Sequence, residues 1–200
     1  MQPDIHRLLE FQKLLAVFSQ VERGAHRNHL GTFVPENDTE HSYNLAMTGW
    51  YLSQWFPELD KNKIISYALI HDLVEVHAGD TYFYGSKEEL DSKVDREAQA
   101  LKQLEKDWSD FKDLTEAIHQ YEKKSDPESQ FVYALDKIMP IMLIYIHDGY
   151  SWKKNGVTAK MLHDAKRQKI SQVETSPRIL PYFEQLYGLL LERPDLIKEF

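Results

Sequence analysis

The sequence predicts an all-α fold, a single globular bundle of about seven or eight helices spanning residues 1–200. Three observations predict it. Apolar residues recur at helical spacing along nearly the whole chain, no stretch alternates in the manner of a strand, and no internal repeat or low-complexity tract interrupts the pattern. Hydrophobic residues make up 42% and aromatics 12%, enough apolar surface for one core, while 28% charged residues and a mean hydropathy of −0.55 suit an ordinary water-soluble chain.

Residues 5–21 carry Ile5, Leu8, Leu9, Phe11, Leu14, Leu15, Phe18 and Val21 at helical spacing. Gly24 breaks that pattern, and 25–37, with Gly31 and Pro35, reads as a loop. Asp38 or Thr39 can cap a second helix that Pro57 ends, and Asp60 can cap a third running through KIISYALIHDLVEV to Ala78-Gly79. After a short aromatic loop at 80–85, Ser86 and Glu89 form a capping-box pattern ahead of a long helix. Its apolar line is Leu90, Val94, Ala98, Leu101, Leu104 and Trp108, a surface for helix packing or a dimer seam. A short helix covers 111–121, and Ser125 with Glu128 repeats the capping-box pattern, Pro127 being tolerated in the first turn. The next helix, FVYALDKIMPIMLIYI, is apolar almost all round and should be central, with a kink at Pro140. Helices at 158–173 and 182–191 complete the set.

Several function classes are excluded early. There is no cysteine, so disulfides, thiolate metal sites and cysteine nucleophiles are out, and cytoplasm is the expected compartment. No stretch approaches the roughly 18 uninterrupted apolar residues of a membrane span, and the polar start MQPDIHRLLE does not read as a signal peptide. The net charge of −8 argues against a nucleic-acid polymer as partner. A small phosphorylated substrate stays open, because a bound metal can supply local positive charge.

Polar residues placed where helices should be apolar carry the chemistry. In the third helix Ile64, Ile65, Ala68, Leu69, Ile70, Leu73 and Val74 mark a buried segment that His71, Asp72 and Glu75 interrupt. Buried charges need a partner or a metal. The same conflict recurs at Asp136, inside the most apolar helix, and at His41, in the first turn of the second helix. Two imidazoles and two carboxylates suit a divalent ion such as Mn, Co, Fe, Zn or Mg. The His-Asp pair itself is not diagnostic, since it occurs three times, at 71–72, 147–148 and 163–164. His147-Asp148 stands at a helix end before Gly149, and His163-Asp164 among Lys160, Lys166 and Arg167 reads as a solvated face.

Four spaced segments, RGAHRN at 23–28, PENDTEHSYNLA at 35–46, HDLVEVHAGD at 71–80 and YEKKSDPESQFVYALDKI at 121–138, resemble the HD-domain phosphohydrolases, in particular the 5′-deoxynucleotidase subfamily. The resemblance runs over about 5–175, leaving 176–200 as a C-terminal helical extension of a single HD domain. It implies that His41, His71, Asp72 and Asp136 are the metal ligands, that Glu75 orients or deprotonates the attacking water, and that Asp80 stands near the leaving group. It also implies that Arg23 or Arg27 holds the substrate phosphate, that deoxyribonucleoside 5′-monophosphates are hydrolysed to nucleoside and phosphate, and that the protein is a homodimer. Within the same fold a deoxynucleoside triphosphate triphosphohydrolase is the competing activity, and a non-catalytic HD-domain sensor is the alternative from another class. The Tyr82-Phe83-Tyr84 segment, which replaces the subfamily's Leu/Ile-Pro-rich turn, can wall a base pocket or form a dimer contact.

Overall fold

The computed structural model of the chain describes residues 3–81 and 87–198, so the Tyr82-Phe83-Tyr84 segment, the Ser86–Glu89 capping pair and the Leu90 side chain lie outside it. Among the described residues ten helices and one two-stranded hairpin follow in order. Helix α1 (Ile5–Phe18) leads into the strands β1 (Glu22–His29) and β2 (Thr32–Asn37), where the sequence suggests only a loop. The antiparallel pairing closes with His29 opposite Thr32 around Leu30 and Gly31, whose φ values are 52° and 87°. Two left-handed residues make the tight turn that matches strand twist. The strands themselves bury little besides Ala25 and Glu36, so they lack the apolar alternation by which strands are recognised.

Helix α2 (Asp38–Ser53) is capped by Asn37, not by Asp38 or Thr39. The Asn37 side chain accepts from the Glu40 amide at 3.0 Å, and the Glu40 carboxylate accepts from the Asn37 amide at 3.3 Å. This frees the Asp38 carboxylate to face inward, where it is fully buried. Asp60 caps α3 (Lys61–Ile70) as expected, by accepting from the Asn62 and Lys63 amides. That helix does not continue to Gly79, however. At residues 71–74 the bonds tighten to i→i−3, with the Leu73 amide on Ile70 and the Glu75 amide on Asp72, before α4 (Glu75–Ala78) resumes.

Helix α5 (Lys87–Asp107) keeps only the later part of its anticipated apolar line inside: Leu104 and Trp108 are buried, whereas Val94 and Ala98 are exposed. After α6 (Lys112–Lys123), helix α7 (Pro127–Ile146) is capped by Asp126 through the Ser129 amide at 2.8 Å. The anticipated Ser125–Glu128 box does not form, because Glu128 accepts from the Asp60 amide at 2.9 Å and so ties α7 to the start of α3. Helix α8 (Tyr150–Asn155), α9 (Ala159–Ile170) and α10 (Ser176–Leu191) complete the chain, and Thr158, read from the sequence as the start of that helix, caps α9 by accepting from the Met161 amide.

Helix α7 is long and apolar enough, by length and composition, to cross a bilayer, but 56% of that window is buried inside the protein. It is the central helix, contacted by α2, α3, α9 and α10. Around it Leu45, Ile64, Phe131, Leu135, Ile170 and Phe183 form the main core. A second cluster joins Leu14 and Phe18 of α1 to Leu104, Trp108 and Ile118. Ile70 packs against both clusters, so the turn that begins at His71 lies on the seam between them.

Candidate metal centre and cavity

His41 and Asp136 meet because α2 and α7 pack side by side, and His71 enters from the end of α3. His41 Nε2 lies 2.9 Å from Asp136 Oδ1, and the two imidazole rings are 5.3 Å apart. His71 donates its Nδ1 proton to the Ala68 carbonyl at 2.9 Å, which fixes the tautomer and leaves Nε2 as a bare lone pair. That Nε2 is buried and has no hydrogen-bond partner, although Asp72 Oδ2 lies 2.9 Å away and Asp136 Oδ1 3.8 Å away. Ligand atoms of His41, His71 and Asp136 all lie within 4.8 Å of one another. An orphaned lone pair facing a second imidazole and two carboxylates fits a divalent cation held from one side.

A second group lies beside the first. Asp38, Asp72 and Glu75 also bring oxygens within 4.8 Å of one another, so Asp72 touches both groups. Arg23, from β1, threads between them: its Nη1 donates to Asp38 at 2.7 Å and to Asp72 at 2.6 Å, and its Nε lies 3.8 Å from Glu36. Glu36 in turn stands 3.3 Å from His41 Nδ1, the nitrogen turned away from the cluster. This carboxylate–imidazole contact is the arrangement that orients metal-binding histidines.

The electrostatics follow from crowding in a dry place. Burial pushes Glu75 up, reinforced by Asp72 and Asp38, and burial likewise raises Asp38 to about 6. Asp80 is raised by burial, partly opposed by Arg23. Asp136 is held well below the usual carboxylate range despite its burial, because Lys137, His41 and His71 surround it. His41 is raised although burial and Arg23 oppose its charge, since Asp136 and Glu36 outweigh them. One Glu75 oxygen is buried without a partner, a further sign of negative charge gathered for a cation.

A cavity opens from this cluster. Arg23, Asp72, Glu75, Asp80 and Asp136 line it together with the apolar Ile141, Ile144, Trp152, Val157 and Leu162, and Lys93, Lys137 and Lys166 are also in the wall. The structure therefore brings His41, His71, Asp72, Asp136, Glu75, Asp80 and Arg23 into one neighbourhood. Arg27 is not among the residues lining the cavity; it pairs with Glu40. Arg96 of α5 was not foreseen. It donates to the Ala78 carbonyl at 2.5 Å and to Thr81 Oγ1 at 2.6 Å, so it pins both ends of the turn that carries Asp80. Glu36 was also missed, although a buried glutamate five residues before His41 sits inside a segment already singled out.

Comparison with known proteins points to one family. The family model described as "HD domain" matches residues 20–177. A protein of Dictyostelium discoideum named 5′-deoxynucleotidase HDDC2 is 28% identical over 170 residues, covering 80% of this chain and 88% of its own. The Homo sapiens protein of the same name is 30% identical over 141 residues, covering 68% of this chain and 65% of its own. A crystal structure from Magnetospirillum magnetotacticum, described as a predicted metal-dependent phosphohydrolase, superposes with a TM-score of 0.78 at 23% identity, covering 96% of this chain and 95% of the other, and shares the fold.

Proposed function

The chain belongs to the HD-domain family, and on that premise we propose that it is a metal-dependent phosphomonoesterase hydrolysing deoxyribonucleoside 5′-monophosphates to deoxynucleoside and phosphate. The observation that carries the reading is the buried His71 Nε2, left as a lone pair because the Ala68 carbonyl accepts from Nδ1–H, and facing His41, Asp72 and Asp136 without a hydrogen-bond partner. Those four residues would hold the ion. When bound it supplies positive charge to a phosphoryl oxygen and acidifies a water molecule.

The remaining work falls to the chain's own side chains. Glu75 has a buried oxygen without a partner beside Asp72, where it can take the proton of an attacking water. Asp80, held in its turn by the grip of Arg96 on Ala78 and Thr81, lies along the cavity wall, where it can assist departure of the sugar oxygen. Arg23 is fixed by Asp38 and Asp72 and lines the same wall, so its guanidinium is already oriented for a phosphate. Arg27, tied to Glu40, takes no part in this reading.

The test is product analysis with Mn²⁺ or Co²⁺ added to a panel of nucleoside mono- and triphosphates. Inorganic phosphate from deoxynucleoside monophosphates is the expected result. Release of intact triphosphate from deoxynucleoside triphosphates would overturn it, and metal binding without turnover on either class would leave a sensor. We also infer a homodimer. Helix α1 exposes Ile5, Leu8, Leu9 and Leu15, and α2 exposes Tyr43, Met47, Trp50 and Tyr51, apolar side chains that a second copy of the chain would cover. Sedimentation equilibrium at micromolar concentration checks it, a monomer being the refuting result.

A further inference from the structure

Ser151 of α8 offers a buried hydroxyl outside the histidine–carboxylate cluster. The residue is 3% exposed and lines the cavity together with Gly24, Ala25 and Trp152. Its surroundings decide what the hydroxyl can do. Ser151 Oγ accepts from the His26 amide of β1 at 2.8 Å and lies 3.3 Å from His26 Nδ1. Lys154 places its ammonium 3.1 Å from His26 Nε2. An ammonium only donates, so Nε2 is the accepting nitrogen and the ring proton sits on Nδ1. Nδ1 also lies 3.2 Å from the Gly24 carbonyl, an acceptor that needs that same proton. Both contacts assign one tautomer. In it Nδ1 cannot accept from Ser151, so the serine oxygen faces N–H donors only. Its own proton is left without an acceptor among the described residues.

The short helix that carries this hydroxyl is held from several sides. Gly149 enters α8 with a φ of 65°, so close to the C-terminal segment that a Cβ would stand 2.2 Å from the Leu196 carbonyl oxygen. Asn155 donates to the Ser151 carbonyl at 2.9 Å, and Trp152 is buried. The Tyr150 ring stacks on Phe33 of β2, with centroids 4.0 Å and planes 4° apart. Helix α8 is thus packed on the hairpin that also carries Arg23. A donor whose oxygen is already engaged and whose backbone is fixed gives up little freedom on meeting a ligand.

The rest of the lining indicates which part of a ligand suits it. Arg23, Lys93 and Lys137 bring charge to the wall for anionic oxygens, whereas Ala25, Ile144, Trp152, Val157 and Leu162 suit a flat, weakly polar ring. Beside such charges a neutral hydroxyl adds little to the hold on an anion. It is selective for a neutral acceptor, because a ligand without one leaves the buried proton unpaired. We propose that Ser151 is a substrate-binding residue whose hydroxyl donates to a carbonyl oxygen or ring nitrogen on the base of the nucleotide. The inference rests on the phosphomonoesterase reading for its substrate and adds to it the group that meets the base.

The experiment compares Mn²⁺-loaded wild type with S151A and S151C, by turnover and by NMR titration with deoxynucleosides. Deoxynucleoside 5′-monophosphates and 2-deoxyribose 5-phosphate, which has no base, are the substrates. In S151A, KM for the nucleotides should rise roughly five- to tenfold, about the worth of one neutral hydrogen bond, with kcat changed by less. KM for 2-deoxyribose 5-phosphate, Mn²⁺ affinity and inhibition by inorganic phosphate should stay as in wild type. S151C, whose thiol is a weak donor, should fall between. Equal nucleotide KM in wild type and S151A overturns the assignment. So does an equal rise in KM for 2-deoxyribose 5-phosphate, which would put the hydroxyl on the sugar or the phosphate. Thermal melts report whether S151A folds; if it does not, S151C carries the comparison, and a wild-type KM there refutes the role. Deoxynucleoside binding separates the inference from the activity. If it weakens in S151A while wild type hydrolyses no monophosphate, the hydrolase reading falls and the base site stands.

Discussion

Removing the Glu36 carboxylate tests whether the His41 contact is part of the metal centre or only its surroundings. Glu36 is 2% exposed, lies 3.3 Å from His41 Nδ1 and 3.8 Å from Arg23 Nε, and is not itself among the residues whose ligand atoms converge. Loss of such an outer carboxylate typically weakens metal binding by about 10- to 100-fold. A cation present at about 100 times its Kd stabilises the wild type by roughly 2.7 kcal/mol, and a domain near this size gains about 2–4 °C per kcal/mol, so Tm should rise by about 5–11 °C. At the same Mn²⁺ concentration, Glu36→Ala with a tenfold weaker site retains about 1.4 kcal/mol, roughly 3–6 °C, and with a hundredfold weaker site about 0.4 kcal/mol, roughly 1–2 °C. Glu36→Gln keeps an acceptor for the Nδ1 proton and should fall between Ala and wild type. Thermal melts with and without Mn²⁺, read against His71→Ala as the metal-dead control, decide the matter. A full wild-type shift in Glu36→Ala would show that the imidazole needs no orienting carboxylate. A shift as small as that of His71→Ala would put the loss at a hundredfold or more, the upper end for an orienting carboxylate.

Glu75→Gln should retain Mn²⁺ binding and lose at least about a hundredfold in kcat, the usual worth of a positioned proton acceptor; metal titration beside turnover separates the two, and an unchanged kcat refutes the role. Asp126→Ala removes the α7 cap on the Ser129 amide and a partner of the Tyr67 hydroxyl, which keeps Gln120, so a loss of about 1–2 kcal/mol in urea unfolding is expected, with Asp126→Asn recovering most of it. Lys166 gives a pH signature in metal-free protein. Its folded pKa of about 8 lies below the ordinary value of 10.5, so between those values the unfolded chain holds a proton that the folded chain has released. Stability of wild type relative to K166M should therefore rise from pH 8 to about pH 10.5 and be flat below pH 8. A difference in urea midpoints that stays constant between pH 7 and pH 10 would refute it.

What the sequence disclosed and what it hid share one physical basis. His41, His71 and Asp136 were legible because a polar group in an apolar helix has no local explanation and must be answered by something distant. The hairpin was hidden because its strands bury almost no apolar side chain and its turn carries Leu30, 94% exposed and left-handed, where Asn or Gly would have announced the fold. The break at residues 71–74 was hidden for the opposite reason: HDLV contains no helix breaker, and the tightening falls where the chain passes from Ile70, which touches both cores, to Leu73 and Val74 in the second. Arg23 could be named as a candidate but not placed, since its partners Asp38 and Asp72 lie on other elements. Lys166 differs from all of these. Its position between Leu162 and Ile170 on one helical face is readable without any structure, yet neighbouring Lys160, Asp164 and Arg167 gave the segment the look of a solvated surface. A charge in the apolar stripe of an amphipathic helix calls for a partner or a cavity on its inward side, and local charge density around it is no evidence against that. The structure separates what the sequence grouped as one solvated face: Lys166 lines the cavity, whereas Lys160 and Arg167 are exposed.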